Sequence, residues 1–306
     1  MEKAFWRIDM NGVKACVLTG YGLNCDYETD YSLKLAGADS RRVHINELIE
    51  GTTTGKGTSL DEYHILAFGG GFSWGDDHGA GVLLASKMKH HIGNRIEKFI
   101  KDGKLVIGIC NGFQSLVNLG LLPGFDMRYR ERRVALINND AGNFIDTWVS
   151  LQVNPDSPCV FTRGLTRIEL PVRHGEGKFY AASRDIHRLM KGGQIAVQYA
   201  TEEGCRAGGK WPANPNGSLE DIAGICDPTG RVFGLMPHPE AHHHFTNHPH
   251  WTRTKESLSR NGMDPGRQEG QGLRIFRNAV EYVKEAIEKG YIDAEKGKPK
   301  GGRRKT

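Results

Sequence analysis

A chain of 306 residues with 38% hydrophobic and 25% charged side chains can bury a substantial core, and it has no apolar run of about 18 residues to span a membrane. Its net charge of +5 is concentrated at one end. Lys296, Lys298, Lys300, Arg303, Arg304 and Lys305 lie in "KGKPKGGRRKT", which leaves −1 for the rest and argues against a nucleic-acid binder. Six cysteines without a CxxC pair, and an N-terminus without a secretory apolar core, point to a cytoplasmic chain of reduced thiols.

In chain order, the strand-like "VKACVLTG" precedes "CDYETDYSLKLAGA", where Tyr27, Tyr31 and Leu35 fit one face of a helix. Next come "RRVHI", a Gly/Thr loop "EGTTTGKGTSLD" and the apolar strand "YHILAFGGG". A helix through "KHHIGNRIEKFIKDG" leads into "KLVIGIC". Strands alternating with helices predict an α/β fold with a mostly parallel central sheet covered by helices on both faces. Beyond residue 130 the pattern shifts to short strands, "RVALINND", "FIDTWVSLQV", "TRIELPVRHGEG", "QIAVQYA", "DIAGICD" and "RVFGLMPH". These either extend the sheet or form a smaller antiparallel one against it. A final helix, "GLRIFRNAVEYVKEAIEKG", spaces Leu273, Phe276, Val280 and Val283 for one apolar face. One domain over residues 1–288 is expected, followed by a basic, disordered tail over 289–306.

"GTTTGKGT" imitates a phosphate-binding loop, but it has one residue too few between the glycines, and Gly57 follows Lys56 where Ser or Thr is needed. A strand rather than a helix comes next, so no helix dipole would face a phosphate there.

The informative stretch is "VIGICNGFQ". A buried strand ending in Gly-x-Cys-x-Gly sets Cys110 on a sharp turn into a helix, a nucleophile elbow with cysteine in place of serine. The helix N-terminus beside the sulfur carries partial positive charge, and the Asn111 amide is aimed at a developing oxyanion. A nucleophilic thiol needs a base and the base an orienter. "GLMPHPEAH" offers both in His238 and Glu240, on a loop stiffened by prolines. In "AFGGGFSWGDD" the glycines after Phe68 expose backbone N–H groups, so Gly70 or Gly71 suits a second oxyanion donor.

Cysteine elbow, Gly-rich strand end and late His-x-Glu, in that chain order, resemble the class I (triad) glutamine amidotransferases, which have a flavodoxin-like fold. "GGGFSWGDDHGAG", "GICNGFQSLVNLGLLPG", "HGEGKF", "NPNGSLEDIAGICD" and "GLMPHPE" narrow the resemblance to the glutaminase subunits of phosphoribosylformylglycinamidine synthase. The resemblance implies Cys110 as nucleophile with His238 and Glu240, an oxyanion site at Gly71 and Asn111, and substrate contacts at Gln114 and Gly70. It implies L-glutamine as substrate and ammonia passed to a large synthetase subunit, with a small bridging subunit as further partner. ATP and magnesium would act on the synthetase, with no cofactor in this chain. Departures from the usual pattern are "GYGLNCD", "GDDHGAG" and "NNDAGNFIDTW".

His238, His242, His243, His244, His248 and His250 crowd one segment, but no cysteine or closely spaced carboxylate completes a metal site there, so no metal is assigned. Two alternatives remain at this point. One is a glutaminase serving another synthetase; the other is a non-catalytic stress or chaperone protein of related fold whose elbow cysteine senses oxidation.

Overall fold

The computed structural model describes residues 12–264 and 268–292. Its strands are β1 (Lys14–Thr19), β2 (Asp39–His44), β3 (Ile65–Phe68), β4 (Leu105–Ile109), β5 (Val134–Ile137) and β6 (Ile145–Val153). They continue as β7 (Arg167–His174), β8 (Lys178–Ala181), β9 (Ile195–Ala200), β10 (Ile222–Cys226) and β11 (Val232–Leu235). The helices are α1 (Asp26–Leu35), α2 (Ile45–Thr54), α3 (Val82–Lys101), α4 (Asn111–Leu119), α5 (Ser183–Lys191), α6 (Trp251–Arg260) and α7 (Leu273–Glu288).

Nine strands form one sheet in the order β2-β1-β3-β4-β11-β10-β9-β6-β7. The first five are parallel, as the βα alternation predicts, and β3, β4 and β11 are buried along their whole length, which is why they read as unbroken apolar runs. From β11 onward the pairings are antiparallel, so the second half of the chain extends the same sheet. It also forms a separate antiparallel pair, β5 with β8. Both arrangements allowed by the sequence are therefore present. Helix α1 packs with α7, and α3 with α2 and α4. Leu273, Phe276, Val280 and Val283 of α7 are buried as expected.

Two local expectations are corrected. Tyr27 and Tyr31 do not form the inward face of α1: they are 66% and 51% exposed, and Thr29, Ser32 and Leu33 are buried instead. Asp26 pairs with Arg42, whose guanidinium lies 3.4 Å over the Tyr27 ring, while Tyr31 meets His243 edge-on. Aromatic contacts at the surface thus take the place of core packing. The Gly/Thr loop is shorter than read, because α2 runs through Thr54. Thr53 and Thr54 hydroxyls donate back to Ile49 O and Glu50 O at 2.8 Å, and Gly55 ends the helix at φ 72°. The imitation phosphate loop thus straddles a helix C-terminus, the electrically wrong end for an anion. The tail expected over 289–306 lies, from residue 293 on, outside the described residues.

Helix α4 sits hard against the sheet. A Cβ on Gly112 would stand 1.9 Å from Phe68 O, so only glycine allows the first turn of α4 to rest on the end of β3. That close approach places the residue before the helix among the C-terminal ends of β3, β4 and β11, where parallel α/β sheets carry their sites.

Candidate active site

Cys110 occupies that position. Its φ of 51° and ψ of −108° are strained for an L-residue, and the strain is held by the Cys110 N–H bond to Leu235 O of β11 at 2.8 Å and by the buried start of α4. The side chain is 5% exposed, with Sγ 3.6 Å from Arg173 O.

Strand β11 pairs with β4 in register Leu235↔Ile109, so the loop after β11 emerges beside the elbow. On that loop His238 and Glu240 are 2% and 1% exposed, and Nδ1 lies 2.6 Å from Glu240 Oε1. The carboxylate therefore holds the tautomer that donates from Nδ1 and leaves Nε2 as acceptor, and Nε2 has no partner in hydrogen-bond geometry. Burial alone would depress the His238 pKa. Glu240, followed by the adjacent Cys110 and Cys25 thiols, outweighs it and raises the pKa well above the ordinary value.

The glycines after β3 fit this group closely. A Cβ on Gly70 would lie 2.7 Å from His238 Cε1, and one on Gly71, at φ 138°, would lie 2.6 Å from Asn24 N and Gly22 O. Among the described residues, the Gly71 and Asn111 amides donate no backbone hydrogen bond outside regular helices and strands. Gln114 is brought to the site, but its carboxamide is engaged at both ends: Nε2 donates to Glu176 O at 2.6 Å, and Oε1 accepts from Asn111 Nδ2 at 3.1 Å.

Several residues were not singled out from sequence. Cys25 lies beside His238, and burial pushes its thiol pKa up. Asp76 accepts from Asn111 Nδ2 at 2.8 Å, and burial, then the Glu176 charge, pushes it up to about 6. His174, in the "HGEG" motif, is buried between neutral amides: its Nδ1 is 3.1 Å from Asn139 Oδ1 and its Nε2 3.4 Å from Asn216 Nδ2. Burial, with His238 nearby, lowers its pKa to about 3. "HGEG" and "NPNGS" were legible as motifs; that Asn139 and Asn216 converge on one imidazole required the fold.

The remaining clustered histidines serve the loop itself. His242 Nδ1 donates to Glu169 O at 2.8 Å, His243 Nδ1 to Glu240 O at 3.0 Å, and His248 pairs with Glu169 across the Trp148 ring. His244 caps the turn that follows. Among the described residues, the grouping with metal-ligand spacing is Cys25, His238 and Glu240, which overlaps the thiol–imidazole–carboxylate group.

The geometry is that of a cysteine hydrolase, with a strained thiol, an oriented imidazole and free backbone amides. Comparison with known proteins agrees. The model of the CobB/CobQ-like glutamine amidotransferase domain matches residues 12–283. The phosphoribosylformylglycinamidine synthase subunit PurQ of Methanococcus maripaludis is 45% identical over 271 residues, which cover 88% of this chain and 97% of that one. The subunit of the same name from Dehalococcoides mccartyi is 44% identical over 276 residues, covering 90% and 100%. The structure of PurLQS from Thermotoga maritima aligns with a TM-score of 0.61 at 29% identity, over 89% of this chain and 99% of that one. A chain with this elbow, this triad geometry and these relatives along nearly its whole length belongs to the CobB/CobQ-like glutamine amidotransferase domain family, within its PurQ group.

Proposed function

We propose that this chain is the glutaminase subunit of phosphoribosylformylglycinamidine synthase, working in the cytoplasm and handing ammonia to an ATP- and magnesium-dependent synthetase subunit. Cys110 Sγ attacks the side-chain carboxamide carbon of L-glutamine. His238 Nε2 takes the thiol proton, and the Gly71 and Asn111 amides hold the oxyanion. As the C–N bond breaks, His238 returns the proton to the leaving nitrogen, releasing ammonia and leaving a γ-glutamyl thioester. Water, deprotonated by the same imidazole, then cleaves the thioester to glutamate. Glu240 fixes the ring throughout and stabilises its charged form.

The observation that carries this reading is the Cys110 elbow beside an imidazole held at 2.6 Å by Glu240. It also separates the enzyme from a redox-sensing relative, which has no need of an oriented base. The test is Cys110→Ala in the complex reconstituted with the synthetase. Glutamine-dependent synthesis falls by about 10^6-fold or to the detection limit, while synthesis from added ammonium is retained. Loss of both activities contradicts the division of labour.

A further inference from the structure

Cys25 is a thiol that the proposed reaction does not use, although it lies against the reactive imidazole. It stands just before α1 with its backbone pinned on both sides: its N–H donates to Gly70 O at 3.2 Å, and its carbonyl accepts from Thr29 Oγ1 at 2.7 Å. Gly70 leaves the gap into which the sulfur reaches. A Cβ there would stand 3.2 Å from Cys25 Sγ and 2.7 Å from His238 Cε1. One sulfur, one ring nitrogen and one carboxylate oxygen, from Cys25, His238 and Glu240, consequently lie within 4.8 Å of one another. Two atoms of this group, His238 Nε2 and Glu240 Oε2, are buried without a hydrogen-bond partner. Cys25 is partly exposed, so the group can be reached from solvent on that side.

We infer that Cys25, His238 and Glu240 form an inhibitory site for a divalent ion of the zinc class. The site stands on this geometry alone; its effect on turnover rests on the glutaminase reading above. Thiolate and imidazole select zinc over magnesium, which takes oxygen ligands and keeps its water. Bonds of about 2.0 to 2.3 Å place the ligand atoms of a tetrahedral ion roughly 3.5 Å apart, so small side-chain rotations close the group, and solvent fills the fourth position. On binding, the Cys25 thiol proton passes to solvent and a sulfur–metal bond replaces it. The ion then occupies the general base and the carboxylate that orients it, so Cys110 has no group to take its proton. Cys110 is not among the three ligands, which separates this site from simple capture of the ion by the nucleophile.

The experiment titrates the full chain with Zn2+ in competition with a chromogenic chelator. Wild type and Cys110→Ala each bind one ion with similar affinity, whereas Cys25→Ser and Glu240→Gln bind it roughly 10- to 100-fold more weakly. Should Cys25→Ser fail to fold, Glu240→Gln reads the same site. Co2+ in the Cys110→Ala chain gives a thiolate-to-cobalt charge-transfer band that disappears when Cys25→Ser is added. In the complex with the synthetase, Zn2+ inhibits glutamine-dependent synthesis, and the concentration for half inhibition rises in Cys25→Ser by the same factor as the dissociation constant. Unchanged affinity in Cys25→Ser and Glu240→Gln overturns the site, and so does affinity lost in Cys110→Ala alone, which would assign the ion to the nucleophile. A wild-type complex that hydrolyses no glutamine before the metal is added overturns the functional reading, while the binding results still decide the site.

Discussion

His174 and His238 are buried imidazoles close enough for one charge to act on the other, yet their surroundings oppose each other. His174, at the end of antiparallel strand β7, has both nitrogens facing neutral amides that are themselves bonded to Gly177, Tyr199 and Ser218. His238, after parallel strand β11, has one nitrogen on a carboxylate and the other without a partner. The same contrast extends to their two halves of the sheet. Around the ends of the parallel strands lie the unpartnered buried atoms Ser73 Oγ, Asn111 Oδ1, His238 Nε2 and Glu240 Oε2, together with the strained Cys110. The antiparallel side supplies a paired network that holds the "HGEG" turn. The group around the elbow thus keeps polar capacity left over, whereas the network around His174 is paired throughout.

The largest effect expected is on the reactive half. Glu240→Gln keeps the shape of the side chain but lets the His238 ring adopt the wrong tautomer. Glutaminase activity measured in the complex drops about 10^4-fold with little change in thermal stability. A loss below tenfold would remove Glu240 from the orienting role. Packing at the elbow leaves no room for added volume. Gly112→Ala must push backbone against Phe68 O, and its unfolding free energy in denaturant titration falls by about 3 kcal/mol. An unchanged midpoint would show that α4 can lift off β3.

Protonation separates the two histidines next. The folded pKa of His174, lowered to about 3, lies below the ordinary 6.5, so the unfolded chain binds the extra proton between those values. This contribution to stability is full above pH 6.5 and is lost as pH falls towards 3, at about 1.4 kcal/mol per pH unit. His174→Gln removes that slope from the difference between stabilities measured at pH 7 and pH 5. An identical pH dependence in the variant would place the imidazole in a wetter site than the structure gives it. The smallest effect is Gly217→Ala in the antiparallel half. Its Cβ would meet only the exposed Asp140 carboxylate, which can swing away, leaving about 1 kcal/mol for the left-handed backbone at φ 79°. A cost equal to that of Gly112→Ala would erase the proposed difference in rigidity.

The sequence exposed the reactive half far better than the supporting one. Gly-x-Cys-x-Gly after an apolar run, the glycines after Phe68 and the Pro-flanked His238–Glu240 are local patterns whose chemistry follows from spacing of a few residues. The parallel strands were equally legible, because burial on both faces leaves unbroken apolar runs. The proximity of Asp76 and Glu176 was not, since the two carboxylates are 100 positions apart and each reads alone as a solvated loop residue. His174 is similar: its partners come from 35 residues before and 42 after. Helices α5 and α6 also escaped notice, and α6 buries none of its residues, so no apolar stripe marks it. Cys25 was counted among ordinary thiols because only the fold brings it against His238.

That neighbour makes one measurement the most direct test of the account. A diazoketone analogue of L-glutamine presented to the intact complex alkylates whichever thiol attacks the carboxamide position, and peptide mass spectrometry locates it among six cysteines. The account predicts a single adduct per chain, at Cys110, suppressed by L-glutamine and absent in Cys110→Ala. An adduct at Cys25, or even labelling across all the cysteines, would contradict it.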